Sequence, residues 1–302
     1  MHANPVTSRK ASMRTRLLLI AAAAAVAAVA GTVGHARASS SAVCSPASEH
    51  LVTSGQLTIG TDNPAYPPWY GGTPAKGSKW KVSDPTSGKG YESAVAYAIA
   101  TQLGFSRSQV KWVYEPFNKA FAPGSKSFDF DINQISYTPA RAKVVSFSVS
   151  YYDVNQAIVV VKGTKIASVR SVAGLRSFKL GAQLGTTSYQ FIKSVLKPSQ
   201  QPAVFPQNAG AVEALKNKQI DGLVVDLPTA FYVTAVQVPN SKILGQFENH
   251  GKVTDHFGVI LEKGNPLTSC VNKAITALRG NGTLKRLQLQ WLAKANGAPI
   301  LK

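Results

Sequence analysis

Arg141 lies three residues beyond Thr138 in the stretch INQISYTPAR, with Asn133, Gln134 and Ser136 just upstream. A hydroxyl residue followed by proline opens a helix, with Thr138 as the cap and Pro139 in the first turn. The free N–H groups of such an end attract an anion, and a guanidinium adds a planar fork matched to a carboxylate. The arrangement recurs in KLGAQLGTTSYQFI, where Gly185 allows close backbone approach and Thr186, Thr187 and Ser188 begin the next helix. In IDGLVVDLPTAFYVTA an apolar run delivers Asp226 just ahead of Pro228. Taken singly, each of the three is an ordinary helix cap. Together they offer a cation and hydroxyls for a carboxylate, and a carboxylate for an ammonium, which are the two needs of a zwitterionic α-amino acid. GTDNPAYPPWY adds Asp62, Tyr66, Trp69 and Tyr70 in a proline-rich loop. So many aromatics on one loop are not all expected to be buried, and they suit the walls around an apolar or cationic stem.

These residues sit where strand-like runs give way to helix-like ones. QLTIGTD reads as a short apolar strand, and GYESAVAYAIATQLGF as a helix with Val95, Ile99 and Leu103 on one face. VKWVYEP returns as a strand. FDFDINQIS alternates Phe128, Phe130 and Ile132 with Asp129, Asp131 and Asn133, which is strand period. VNQAIVVVKG, KLGAQLG and DGLVVD read as strands, SYQFIKSVL and AGAVEALKNKQ as helices. The final stretch reads as two helices broken at Gly280-Asn281-Gly282. The alternation predicts α/β layers with largely parallel strands and ligands at the C-terminal strand ends.

Composition narrows the setting. Arg9, Lys10, Arg14 and Arg16 precede an apolar run that ends at Ala36-Arg37-Ala38, the pattern of a secretory signal peptide over residues 1–38, a retained anchor being the alternative. The 33 basic and 14 acidic residues give +19; five of the basic ones fall in that leader, leaving +14. The remaining lysines are scattered singly, so they read as solvated surface and no nucleic-acid partner is expected. Cys44 and Cys270 are the two cysteines, and in an oxidising compartment they are expected to form one disulfide. Without CxxC or clustered histidines, no metal and no cofactor are expected. About 260 residues after the leader favour two domains.

LTIGTDNPAYPPW, GYESAVAYAIATQLG, FDFDINQISYTPARAKVVSFSVSYY, LGAQLGTT, AVEALKNKQIDGLVVD and GTLKRLQLQWL resemble, in order and spacing, bacterial extracellular solute-binding proteins of family 3, the amino-acid receptors of ABC importers. The resemblance implies a two-lobed α/β fold of the periplasmic-binding-protein kind (type II) with two hinge-crossing segments. Lobe one would span 45–157 plus 250–302 and lobe two 158–249, with crossings near VNQAIVVV and GQFENHGKV. It further implies that Ser136 and Arg141 hold a substrate carboxylate, with Gln134 as a backbone contact beside them. Thr186 and Thr187 would supply hydroxyl and amide donors, and Asp226 would take the α-ammonium. Tyr66, Trp69 and Phe117 would wall the pocket, with Asp62 reaching the ligand's side chain.

The implied protein is an exported, non-enzymatic monomer that captures a free amino acid and delivers it to a membrane permease. Ala140, in place of the family's usual acid, and Asp131, in a normally apolar strand, depart from the pattern. Asp62, Asp131 and Asn133 point to a polar or cationic side chain. An enzyme on the same fold, a secreted dehydratase acting on a carboxylated ring, is the alternative. It would need a general acid in the cleft, for which Glu92 and Glu115 are the candidates.

Overall fold

A computed structural model of the chain describes Cys44 and residues 50–247, 255–293 and 297–302. The expected signal peptide lies outside the described residues. Twelve strands are found among the latter: β1 Leu57–Thr61, β2 Val110–Tyr114, β3 Phe130–Asp131, β4 Val145–Phe147, β5 Tyr152–Asp153, β6 Gln156–Val161, β7 Leu180–Gln183, β8 Ala203–Phe205, β9 Gly222–Asp226, β10 Ser241–Phe247, β11 His256–Phe257 and β12 Ile260–Glu262. The helices used below are α1 Tyr91–Gln102, α2 Phe117–Ala120, α3 Pro139–Ala142, α4 Thr187–Phe191, α5 Asn208–Lys216, α6 Leu227–Tyr232, α7 Leu267–Gly280 and α8 Thr283–Leu292.

The fold is two-lobed. One five-stranded sheet has the order β2-β1-β3-β12-β4 and the other β10-β6-β9-β7-β8, while β5 and β11 pair in a small ribbon of their own. In the first sheet β1 runs parallel to β2 and β3, whereas β12 is antiparallel to β3 and β4. In the second, β7 is parallel to β8 and β9, whereas β6 is antiparallel to β9 and β10. Half of the pairings are therefore antiparallel, against the expectation of largely parallel sheets. These antiparallel pairings all involve the two strands next to the crossings: β6, which opens the second sheet, and β12, which follows the return to the first, each running against both of its neighbours.

The ribbon pairs Asp153 with His256 and Tyr152 with Phe257. Gln156–Val161 of the expected VNQAIVVV crossing lies inside the second sheet, immediately after the ribbon. Of GQFENHGKV, the first three residues end β10 and the rest lies outside the described residues.

Helix α1 buries Val95, Ile99 and, at its end, Leu103, as its spacing predicts, within the first lobe's core. Separate clusters cover each face of the second sheet. Helices α7 and α8 are split at Asn281-Gly282, where Gly282 takes φ +76°, open to glycine at little cost. Cys270, on α7, is disulfide-bonded to Cys44 with the Cα atoms 5.6 Å apart, as two cysteines in one exported chain predict. Among the described residues no helix is long and apolar enough to cross a membrane.

Candidate functional site

The strand FDFDINQIS is shorter than its alternation predicts: its ladder is confined to Phe130–Asp131, and Gln134 turns the chain with φ +49°. Glu92 holds that unusual backbone. Its Oε1 accepts from the Gln134 N–H at 2.7 Å, and its carboxylate also accepts from the Gln134 side-chain amide and the Tyr151 hydroxyl. Burial, opposed by those bonds, lifts the Glu92 carboxyl to about 7. The Gln134 N–H is thus already used, so any backbone contact of Gln134 with a ligand falls to its carbonyl.

The turn delivers Asn133, Gln134 and Ser136 to a cavity of about 130 Å³ between the two sheets. Drug-sized ligand sites run to roughly 300–1,000 Å³, so this one suits a small metabolite. All ten residues expected at a ligand site line it: Asp62, Tyr66, Trp69, Phe117, Gln134, Ser136 and Arg141 from the first lobe, and Thr186, Thr187 and Asp226 from the second.

Thr138 accepts from the Arg141 N–H at 3.1 Å and caps α3 as its sequence predicts. The cap does not leave Arg141 in solvent. Its side chain is 7% exposed and packs over Phe121, with the guanidinium carbon 4.3 Å from the ring centroid, and over Phe117 at 5.6 Å. Nη1 donates to the Ser136 carbonyl at 2.6 Å and Nη2 crosses to the Gly185 carbonyl at 2.8 Å. Burial lowers its pKa to about 10, which leaves it charged at neutral pH.

Across the cleft, Thr186 caps α4. Its hydroxyl accepts from the Tyr189 N–H at 3.1 Å and donates to the Gln183 carbonyl at 2.7 Å. Thr187 is the one whose hydroxyl meets the facing lobe, 3.1 Å from that of Ser136.

Asp226 is where the capping reading fails. It sits at the start of α6 but makes no side-chain cap bond; its Oδ1 instead accepts from Gln156 Nε2 at 2.7 Å. Burial first, and then the neighbouring Asp255, push its carboxyl up to about 8.

Asp62, half-buried after β1, accepts from the Asn63 N–H at 2.8 Å, and burial raises its carboxyl above the ordinary range. The aromatic loop is more deeply packed than expected. Trp69 and Tyr70 are buried, and only Tyr66 remains half-exposed, its ring 6.2 Å from that of Tyr232 in the second lobe. Trp69 packs edge-on against Tyr91, Tyr152 and Phe257 and still reaches the facing lobe, donating Nε1 to Thr229 at 3.0 Å.

Asp131 departs from expectation. It is fully buried, and neither carboxyl oxygen has a hydrogen-bond partner. It lies beside Gly60, where an added Cβ would come within 2.6 Å of Oδ2, and it does not line the cavity. With the ladder ending at β3, Asp131 and Asn133 no longer share a face, and only Asn133 reaches the site. Gln156, Asp255 and Phe121 were not singled out from the sequence, because each is brought to the site by a crossing segment or by packing and not by a local motif.

The model of the bacterial extracellular solute-binding proteins, family 3, matches residues 57–294. The ABC transporter glutamine-binding protein GlnH of Bacillus subtilis (strain 168) is 27% identical over 217 residues, covering 70% of this chain and 76% of that protein. An ancestral arginine-binding protein solved with glutamine superimposes with a TM-score of 0.63 at 28% identity, over 79% of this chain and 98% of that one. An ancestral amino-acid-binding protein, a precursor of cyclohexadienyl dehydratase, gives a TM-score of 0.61 at 26% identity, over 78% and 94%. With the match running through both lobes and every part of the cavity, the chain belongs to the family 3 bacterial extracellular solute-binding proteins.

Proposed function

We propose that the protein is the substrate-binding component of an ABC importer and captures a free amino acid between its lobes. The observation that carries this reading is the presence of Arg141, Ser136, Thr187 and Asp226 on the walls of one small cavity. The ligand carboxylate takes the remaining N–H groups of Arg141 and the Ser136 and Thr187 hydroxyls. Its ammonium takes Asp226, and its side chain runs between Tyr66 and Phe117 toward Asp62. The side chain is polar or cationic. A purely apolar one would shut Asp62 away from water with only backbone N–H groups of Asn63 and Phe117 as donors, at about 1–3 kcal/mol.

The lobes close about the β5–β11 ribbon, and the exported monomer hands its ligand to a membrane permease. The expected bounds of 45–157 with 250–302 and 158–249 shift, so that Gln156 and Ala157 go with the second sheet and residues 298–302 pack on the second lobe. No bond is made or broken. Neither Glu92 nor Glu115 lines the cavity, which supports binding over the dehydratase alternative. A thermal-shift screen of the twenty amino acids, followed by mass spectrometry of ligand released on denaturation, tests the proposal. A polar or cationic amino acid should stabilise most. The largest shift coming from leucine, isoleucine or valine overturns the side-chain assignment, and turnover of prephenate-like acids overturns the non-enzymatic one.

A further inference from the structure

A second acid stands behind Asp226. Asp255 precedes β11 on the returning crossing, and its carbonyl accepts from the Val154 N–H of the outgoing crossing at 2.9 Å. Gln156 opens β6 on that outgoing side and lies opposite Asp226 in the ladder with β9. Its Oε1 accepts from the Ser188 hydroxyl at 2.6 Å, which turns Nε2 toward the acids. That nitrogen is 2.7 Å from Asp226 Oδ1 and 3.3 Å from Asp255 Oδ2. One neutral amide therefore serves two carboxyl groups.

The other groups facing the pair do not make up the deficit. Arg141 draws both carboxyls down and His256 draws Asp255 down, but burial outweighs them at both acids, and the terminal nitrogens of Arg141 are bonded to the Ser136 and Gly185 carbonyls. Glu92 and the Tyr152 phenol approach Asp226 from α1 and β5 and bring no positive charge. Ser136 bonds Asp255, and His256 lies next to it in the chain.

We propose that Asp226 and Asp255 form a carboxyl pair that holds one proton in the free protein and releases it when an α-ammonium group enters, so that amino-acid capture is coupled to proton release. The inference rests on the reading of Asp226 as the ammonium's partner. Two desolvated carboxylates bridged by one amide do not both ionise readily. An ammonium supplies both the missing charge and up to three N–H donors. The proton passes to solvent, and charge balances because the entering cation replaces it. Burial raises both carboxyls, Asp226 to about 8, so affinity falls as pH drops below that value, by at most about tenfold per unit. Asp255 is a positioning residue in this scheme: it acts through Gln156 and Asp226.

Titration calorimetry of the unaltered protein with L-glutamine and L-arginine, at pH 7 in buffers of different ionisation enthalpy, counts the protons. About one should leave per ligand bound, falling toward none at pH 9. Asp255→Asn should release fewer at pH 7 and bind with a flatter pH profile, which a purely structural role would not produce. Binding heats independent of buffer overturn the pair and leave the amino-acid reading standing. Equal release from parent and Asp255→Asn moves the proton elsewhere, to Glu92 for example, and likewise overturns it. Absence of binding for all twenty amino acids overturns the functional reading and this inference with it.

Discussion

Arg141 Nη2 on the first lobe donates to the Gly185 carbonyl on the second at 2.8 Å, while Nη1 holds the Ser136 carbonyl at 2.6 Å. The residue best suited to a ligand carboxylate is thus also a strut between the lobes. On the proposed reading, removing it takes away a ligand contact, and in any case it leaves two carbonyl oxygens without their donor. Arg141→Ala is expected to weaken amino-acid binding by about 2–5 kcal/mol. Arg141→Lys should recover only part of that, having lost the planar fork. Calorimetry measures the first effect, and a lowered unfolding midpoint reports the strut.

Gly185 takes φ +80°, and a Cβ there would meet the Asn118 Oδ1 of the first lobe at 2.2 Å. Gly185→Ala is expected to oppose the close approach of the lobes and weaken binding by about 1–2 kcal/mol. The double variant with Asn118→Ala should recover most of the binding, because it removes the clash, while the fold stability lost to alanine in a left-handed conformation remains lost. Small-angle scattering with saturating ligand should show a larger radius of gyration for Gly185→Ala than for the parent.

Glu92 titrates near 7 when folded, against 4.5 ordinarily. An acid raised by folding contributes its full stability below its unfolded pKa and loses it as pH rises through the folded one. Denaturant unfolding should therefore show a loss of up to about 3 kcal/mol from this group between pH 4.5 and 7. The stability of the parent relative to Glu92→Gln, which carries no titrating group there, should fall over that window as pH rises. A difference constant across it would argue against the assignment.

Asp131 is buried with both oxygens unpaired, in contact with neither the cavity nor a cap. Asp131→Leu, similar in shape, is expected to stabilise the protein by about 1–3 kcal/mol at neutral pH and to leave ligand affinity unchanged. Thermal unfolding and calorimetry on the same sample check both halves of that expectation.

The Cys44–Cys270 bond closes a separation of 226 residues. Chain-entropy reasoning assigns such a loop about 5 kcal/mol, with measured effects of about 2–5. Alkylation without reductant should modify neither cysteine, and reduction should lower the unfolding midpoint.

The parts of the site that were legible in the sequence are those set by local rules. Thr138-Pro139 and Thr186 announce helix starts through capping chemistry, and an apolar run that ends in Asp226 marks a strand delivering an acid. What was illegible depends on chain crossings. Gln156 and Asp255 are 99 residues apart and meet only because the outgoing and returning segments run side by side. Asp131 misled for the opposite reason: its alternation is that of a strand, but the ladder ends at β3 and the next residues turn away. The antiparallel pairings leave no local mark either, since a strand's direction is set by where its chain came from and not by its own residues.

Strand β12, residues 260–262, lies between β3 and β4 in the first sheet, whereas the second sheet draws all of its strands from 156–247. A chain emerging from its N-terminus can therefore pair the strands of the second sheet while the first still has a gap in its middle. Until β12 arrives, β3 and β4 present unpaired edges, and the contacts that seal them bridge more than a hundred residues. The strands of the later-encoded sheet can pair first, its β10 edge and core being finished by residues 298–302, while the sheet encoded first stays vulnerable to strand-to-strand association until residues 260–262 are available.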